Sequence, residues 1–217
     1  MTPFRGILFD LDGTLVDSLQ MTFDAFNHGL RSVGAPVRTP EEVMAHFGPG
    51  EDEIFTKLTT PTLAAAAYEA SIAYTDQNMG RTPLHAGVAE MLARFRSAGI
   101  PMSVVTGRSW KTTEIILRHH GLLDAFVTIV AHDHVNSSKP SPEGLELALS
   151  RMNLKPTDAC YVGDTPMDML AARRAGMEGI AALWDRLASR ENLEKQQPRH
   201  WAQVPAEVWS FFHARSP

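Results

Sequence analysis

Phe9-Asp10-Leu11-Asp12-Gly13-Thr14-Leu15-Val16-Asp17 is the stretch whose reading decides the fold. It continues the apolar run Ile7-Leu8-Phe9 and leads into a helical pattern. A short apolar run that stops at aspartate and glycine reads as a buried strand meeting a turn. Residues two apart on an extended chain project to the same side, so Asp10 and Asp12 emerge together where the strand stops. Gly13 lets the chain turn sharply there. Two carboxylates so close repel each other unless a cation or a proton intervenes. A hard divalent cation such as Mg²⁺ suits oxygen ligands of this kind. A turn whose aspartates cap loose amides is the plainer alternative.

Further along lie Met102-Ser103-Val104-Val105, Phe126-Val127-Thr128-Ile129-Val130 and Ala159-Cys160-Tyr161-Val162, with a weaker run at Gly179-Ile180-Ala181-Ala182-Leu183. These too read as buried strands. Amphipathic stretches separate them: Val88 to Phe95 ending at Gly99, Ile115 to Leu117 before Gly121, Leu145 to Leu149 after Ser141-Pro142, and Met167 to Ala171 before Gly176. Strand alternating with helix predicts an α/β fold, a Rossmann-like parallel sheet covered on both faces. From about Asp17 to Arg81 the alternation breaks. Met21 to Leu30, Pro40 to Phe47, Glu51 to Leu58 and Pro61 to Asn78 all read as helical. That segment is too long for a simple crossover. The expected organisation is a core of residues 1–16 and 82–217 with an inserted all-helical cap at 17–81.

The 217 residues suffice for one generous domain with such an insert. A net charge of −5 disfavours a nucleic-acid partner. No run approaches the length of a membrane span, and Asp10 and Asp12 interrupt the apolar run that a secretory signal would need. One cysteine, Cys160, allows no intrachain disulfide and fits a reducing, cytoplasmic setting; its apolar neighbours make it a buried hydrophobe. Glu207 to Phe212 reads as a short amphipathic helix. Trp201, Trp209, Phe211 and Phe212 suit burial against the core or a dimer contact, which leaves monomer and homodimer open.

The other strand ends also carry polar groups. Thr106-Gly107-Arg108 ends the second; a hydroxyl and an unhindered amide there can hold phosphate oxygens, though Thr-Gly also suits a plain loop. Lys139-Pro140 follows the third. Its ammonium can balance a carboxylate and a phosphoryl group, or simply be solvated. Gly163-Asp164-Thr165-Pro166-Met167-Asp168 ends the fourth. Pro166 fits a first helical turn, so Asp164 or Thr165 also fits an N-cap and Asp168 a helix-dipole partner. Taken together, the four ends compose a site with carboxylates for a metal and donors for phosphate.

In order and spacing these residues resemble the four signature motifs of the haloacid dehalogenase-like hydrolase superfamily. Asp10-Leu11-Asp12-Gly13-Thr14 resembles the first motif and Thr106-Gly107 the second. Lys139-Pro140 resembles the third, and Gly163-Asp164 with Asp168 the fourth. The helical insert is similar to the family's small cap of the first type, and the chain looks most like the phosphoglycolate phosphatase-like branch. The resemblance implies Asp10 as nucleophile and Asp12 as general acid and then base. It implies Thr106 and Gly107 on the substrate and Lys139 orienting Asp10 and balancing charge; Arg108 beside them is a further candidate on the substrate, with a solvated charge as the plainer alternative. Asp10, Asp12 (through its carbonyl) and Asp164 would hold Mg²⁺, with Asp168 supporting from behind. The implied reaction is hydrolysis of a small phosphorylated metabolite, phosphoglycolate among the options, through an aspartyl-phosphate. A phosphomutase or phosphotransferase would share every core residue, and an aspartate-phosphorylated signalling or binding module is the non-enzyme alternative. Substrate choice should fall to the cap, around His46-Phe47-Gly48-Pro49-Gly50-Glu51.

Overall fold

The computed structural model describes residues 4–48 and 50–213. Pro49, within the loop expected to select substrate, and 214–217, at the end of the C-terminal segment, lie outside the described residues. Six strands form one sheet in the order β3-β2-β1-β4-β5-β6, and every pairing is parallel. They are β1 (Gly6–Phe9), β2 (Met102–Val105), β3 (Thr128–Val130), β4 (Ala159–Gly163), β5 (Glu178–Ala182) and β6 (His200–Ala202). Every residue of β1, β2 and β4 is buried. This explains their nearly continuous apolar character, since a central parallel strand has no face left for water.

Side-chain alternation along β1 assigns the two faces. Ile7 and Phe9 pack with Val88, Leu92 and Phe95 of α5 (Val88–Ser97) and with Ile116 and Leu117 of α6 (Trp110–His119). Leu8 points the other way, onto Leu145 and Ala148 of α7 (Glu143–Met152) and Ala171 of α8 (Pro166–Arg174). Between β1 and β2 the chain forms α1 (Leu19–Ser32), α2 (Pro40–Met44), α3 (Glu51–Leu58) and α4 (Pro61–Gln77). This is the helical cap. It has its own apolar centre of Phe23, Phe26, Leu30, Ile54, Phe55 and Ala67. Phe26 stacks on Phe55 with ring centroids 4.8 Å apart. Gly29 lets α1 and α4 approach closely: a Cβ there would stand 2.4 Å from the Ala67 carbonyl.

The chain leaves and re-enters the core at neighbouring points. The Asp17 amide donates to the Pro83 carbonyl at 3.0 Å, and the His85 amide donates to the Leu15 carbonyl at 3.0 Å. The C-terminal part holds more regular structure than its sequence suggests: α9 (Arg190–Glu194), the edge strand β6, and α10 (Pro205–His213). Phe212 is buried against Phe4 and Phe95, and the Arg94 guanidinium lies 4.2 Å above the Trp209 ring. No helix among the described residues is long and apolar enough to cross a membrane.

Candidate active site

Four loops at the carboxyl edge of the sheet build the site, the position where open parallel sheets bind ligands. Asp10 stands one residue past β1, anchored by its own amide, which donates to the Val162 carbonyl at 2.9 Å. Asp12 follows. Gly13 then turns with φ +74°, and a Cβ there would lie 2.2 Å from the Asp164 carboxylate, so both conformation and space call for glycine. Thr106 follows β2, its amide donating to the Val130 carbonyl, and its Oγ1 accepts from the Arg108 amide. Asp164 follows β4. Asp168 lies in the first turn of α8, where Thr165 and Asp168 form a reciprocal capping box.

Lys139 is the hub of the core side. Its Nζ lies 2.8 Å from Asp10 and 2.6 Å from Asp168, and 3.1 Å from the Tyr161 hydroxyl. The Tyr161 hydroxyl donates toward the Val105 carbonyl and Asp168. Asp168 is fully engaged: Oδ1 meets Lys139 and Tyr161, while Oδ2 accepts from the Thr165 amide and hydroxyl at 2.9 and 2.6 Å. Burial, followed by the charge of Asp168, pushes the Asp10 carboxyl up to about 7 against the opposing pull of Lys139. Asp164 is pushed up as well, by burial first and then by Asp168 and Asp10. For Lys139 burial works against the charge, but Asp10 and Asp168 outweigh it and hold the ammonium above its ordinary range.

Carboxylate oxygens of Asp10, Asp164 and Asp168 lie within 4.8 Å of one another. Asp168 spends both oxygens on Lys139, Tyr161 and Thr165, whereas Asp10 and Asp164 border the cavity. Burial and mutual repulsion disfavour the charged forms of these two carboxyls, a cost that a hard dication relieves, so the donor set fits Mg²⁺.

The residues singled out in the sequence converge. Asp10, Asp12, Thr106, Gly107, Arg108, Lys139 and Asp164 all border one cavity of about 300 Å³, and Asp168 lies behind it. Arg108, expected on the substrate, has its guanidinium engaged by protein groups. Nε donates to both Asp12 oxygens at 2.9 and 2.8 Å, Nη1 to Glu51 at 3.0 Å, and Nη2 to Asp12 and to Thr22. Ser18 also donates to Asp12. Sequence reasoning reached Glu51 only as part of a cap loop. It reached Thr14, whose hydroxyl donates to Asp164 at 3.0 Å, only as the end of a motif, and passed over Ser18, Thr22 and Tyr161, because a hydroxyl carries no mark of the partner it will meet.

This sheet order, helical insert and acidic edge define a class. The family model described as haloacid dehalogenase-like hydrolase matches residues 7–182, and the chain belongs to that family, in its phosphoglycolate phosphatase-like branch. It is 31% identical over 189 residues to a phosphoglycolate phosphatase of Photobacterium profundum, spanning 81% of this chain and 82% of that one. It is 29% identical over 215 residues to the probable phosphatase IndB of Dickeya dadantii, spanning 96% and 93%. Among solved structures, a predicted phosphoglycolate phosphatase from Haemophilus somnus superposes with a TM-score of 0.85 at 24% identity, over 97% of this chain and 99% of that one, a likeness of fold.

Proposed function

We propose that the chain is a Mg²⁺-dependent phosphatase that hydrolyses a small phosphate monoester through an aspartyl-phosphate on Asp10. The observation that carries this reading is the Asp10 carboxylate, buried at the floor of a capped cavity and held 2.8 Å from Lys139. Asp10 and Asp164, with the Asp12 carbonyl, are the groups that would hold the metal, whose chemistry is to neutralise charge between an anionic nucleophile and an anionic phosphate. Thr106 and the Gly107 amide receive the phosphoryl oxygens, as a hydroxyl and an open amide at a strand end can.

Asp10 attacks phosphorus, and the bond from phosphorus to the ester oxygen breaks as Asp12 passes a proton to that oxygen. Water then attacks the phosphoryl group on Asp10, with Asp12 taking the water proton. Phosphate leaves and the free carboxylate returns. Lys139 holds Asp10 in line and offsets its charge throughout, steadied by Asp168 and Tyr161. Residues 17–81 act as the cap, closing over the core of 1–16 and 82–217 to exclude bulk water.

Phosphate release from a panel of small esters, phosphoglycolate included, tests the proposal. Turnover should require Mg²⁺, stop with chelator, and fall by about 10⁴-fold or more in Asp10→Asn. Turnover that survives Asp10→Asn in a folded protein would rule out the covalent route.

A further inference from the structure

The walls of the cavity are unevenly charged. On the cap side Leu19, Phe26, Met44, Phe47 and Ile54 face the space above the nucleophile. Only two cationic side chains border the cavity among the described residues, Lys139 and Arg108, and both are already neutralised. Lys139 lies between Asp10 and Asp168. Arg108, buried, lies between Asp12 and Glu51.

Glu51 occupies more than Arg108. Its Oε2 accepts from the Ser109 hydroxyl at 2.8 Å, the Thr112 hydroxyl at 2.7 Å and, more distantly, the Ser109 amide at 3.3 Å. Ser109 is the N-cap of α6. The start of α8 at Thr165 is already taken by Asp168, whereas the Arg108 guanidinium at the cavity wall, with the start of α6 behind it, would attract a second anionic group on a substrate. A carboxylate supplied by the protein's own cap already fills both. An ester whose leaving group ends in a carboxylate or a phosphate would have to displace Glu51 or lie against it. A neutral leaving group with apolar surface matches the five cap side chains and meets no like charge.

We propose that the substrate is the phosphate monoester of an uncharged, partly apolar alcohol, and that Glu51 is a specificity residue that rejects anionic leaving groups by holding Arg108 and the start of α6. The proposal rests on the phosphatase reading above and narrows it.

The test compares kcat/KM for matched esters with Mg²⁺ present: phosphoglycolate, its neutral amide, and n-butyl phosphate. In the wild type the amide and the butyl ester should exceed phosphoglycolate by about 100-fold. Glu51→Gln should shrink that gap by about tenfold or more, chiefly through a lower KM for phosphoglycolate. A wild type that hydrolyses phosphoglycolate as well as or better than its amide overturns the proposal while leaving the phosphatase reading intact. So does an unchanged gap in a Glu51→Gln protein whose circular dichroism and melting match the wild type. If Glu51→Gln does not fold, the wild-type comparison decides alone. No release from any ester removes the phosphatase reading, and this inference with it.

Discussion

His85 shows how burial sets the proton affinity of an imidazole outside the cavity. It stands where the chain returns from the cap, its Nε2 3.4 Å from the buried Asp185 carboxylate. Burial lowers its proton affinity more than Asp185, Asp17 and the Val16 backbone raise it, so its folded pKa lies below the ordinary value. A folded pKa below the unfolded one means that the unfolded chain binds the proton more readily. The stability that neutral His85 provides is therefore present above the ordinary histidine range and is lost as pH falls through it. The stability difference between wild type and His85→Gln, from urea unfolding at pH 7.5 and pH 5.5, should shift against the wild type at the lower pH. A pH-independent difference would contradict the burial argument. At this scale the sequence was informative at the strand ends: Asp10, Asp12 and Asp164 stand out by position, and Lys139 by its place in the longer loop after β3. It was silent on the Arg108–Glu51 pair. The two lie 57 residues apart, and their meeting depends on how the cap seats on the core, which no local pattern encodes.

Among the elements, α8 joins helix stability most directly to the site. Thr165 caps it, accepting from the Asp168 amide at 3.3 Å and donating to Asp168 Oδ2 at 2.6 Å. The same Asp168 positions Lys139 through its other oxygen. Thr165→Ala should cost about 1 kcal/mol of stability, the usual loss for an N-cap, and should also lower kcat by loosening Asp168. Thr165→Ser should restore both. Urea midpoints with phosphate-release rates separate the cases: lost stability with unchanged kcat would show that the cap and the Lys139 support are independent. The central strands and long helices were legible because burial on both faces, or on one stripe, leaves a periodic trace. The edge strand β6 and the five-residue α9 were not, since three residues, the half-buried His200 and Trp201 and the buried Ala202, fix no period, and their pairing with β5 is decided by the distant chain that brings them there.

At the scale of the molecule, cap and core bury separate apolar clusters. The cap cluster around Phe55 shares no member with the clusters on either face of the sheet, and the contacts that join the two parts at the site are polar ones such as Arg108–Glu51. Phe55→Ala should cost about 3–5 kcal/mol, the range for emptying a buried aromatic site. That loss should fall on the cap alone. Calorimetry of the variant should show a new, lower transition with the core midpoint unmoved. One transition shifted as a whole would mean that the two parts melt as a unit.

The strand that leads into Asp10 precedes both of its partners in the chain and sits in the middle of the sheet, between β2 and β4. Its hydrogen-bonding partners begin at Met102 and Ala159. On a ribosome, α1 through α4 can collapse on one another soon after synthesis, while β1 waits for most of the chain before both of its edges are covered. Since domains form as the nascent chain lengthens, the apolar Ile7-Leu8-Phe9 keeps an open edge until β4 has been made. Both edges of β1 are covered only once the segments holding β2 and β4 have been made, so the loop that carries Asp10 takes its place later than the helical insert that precedes them.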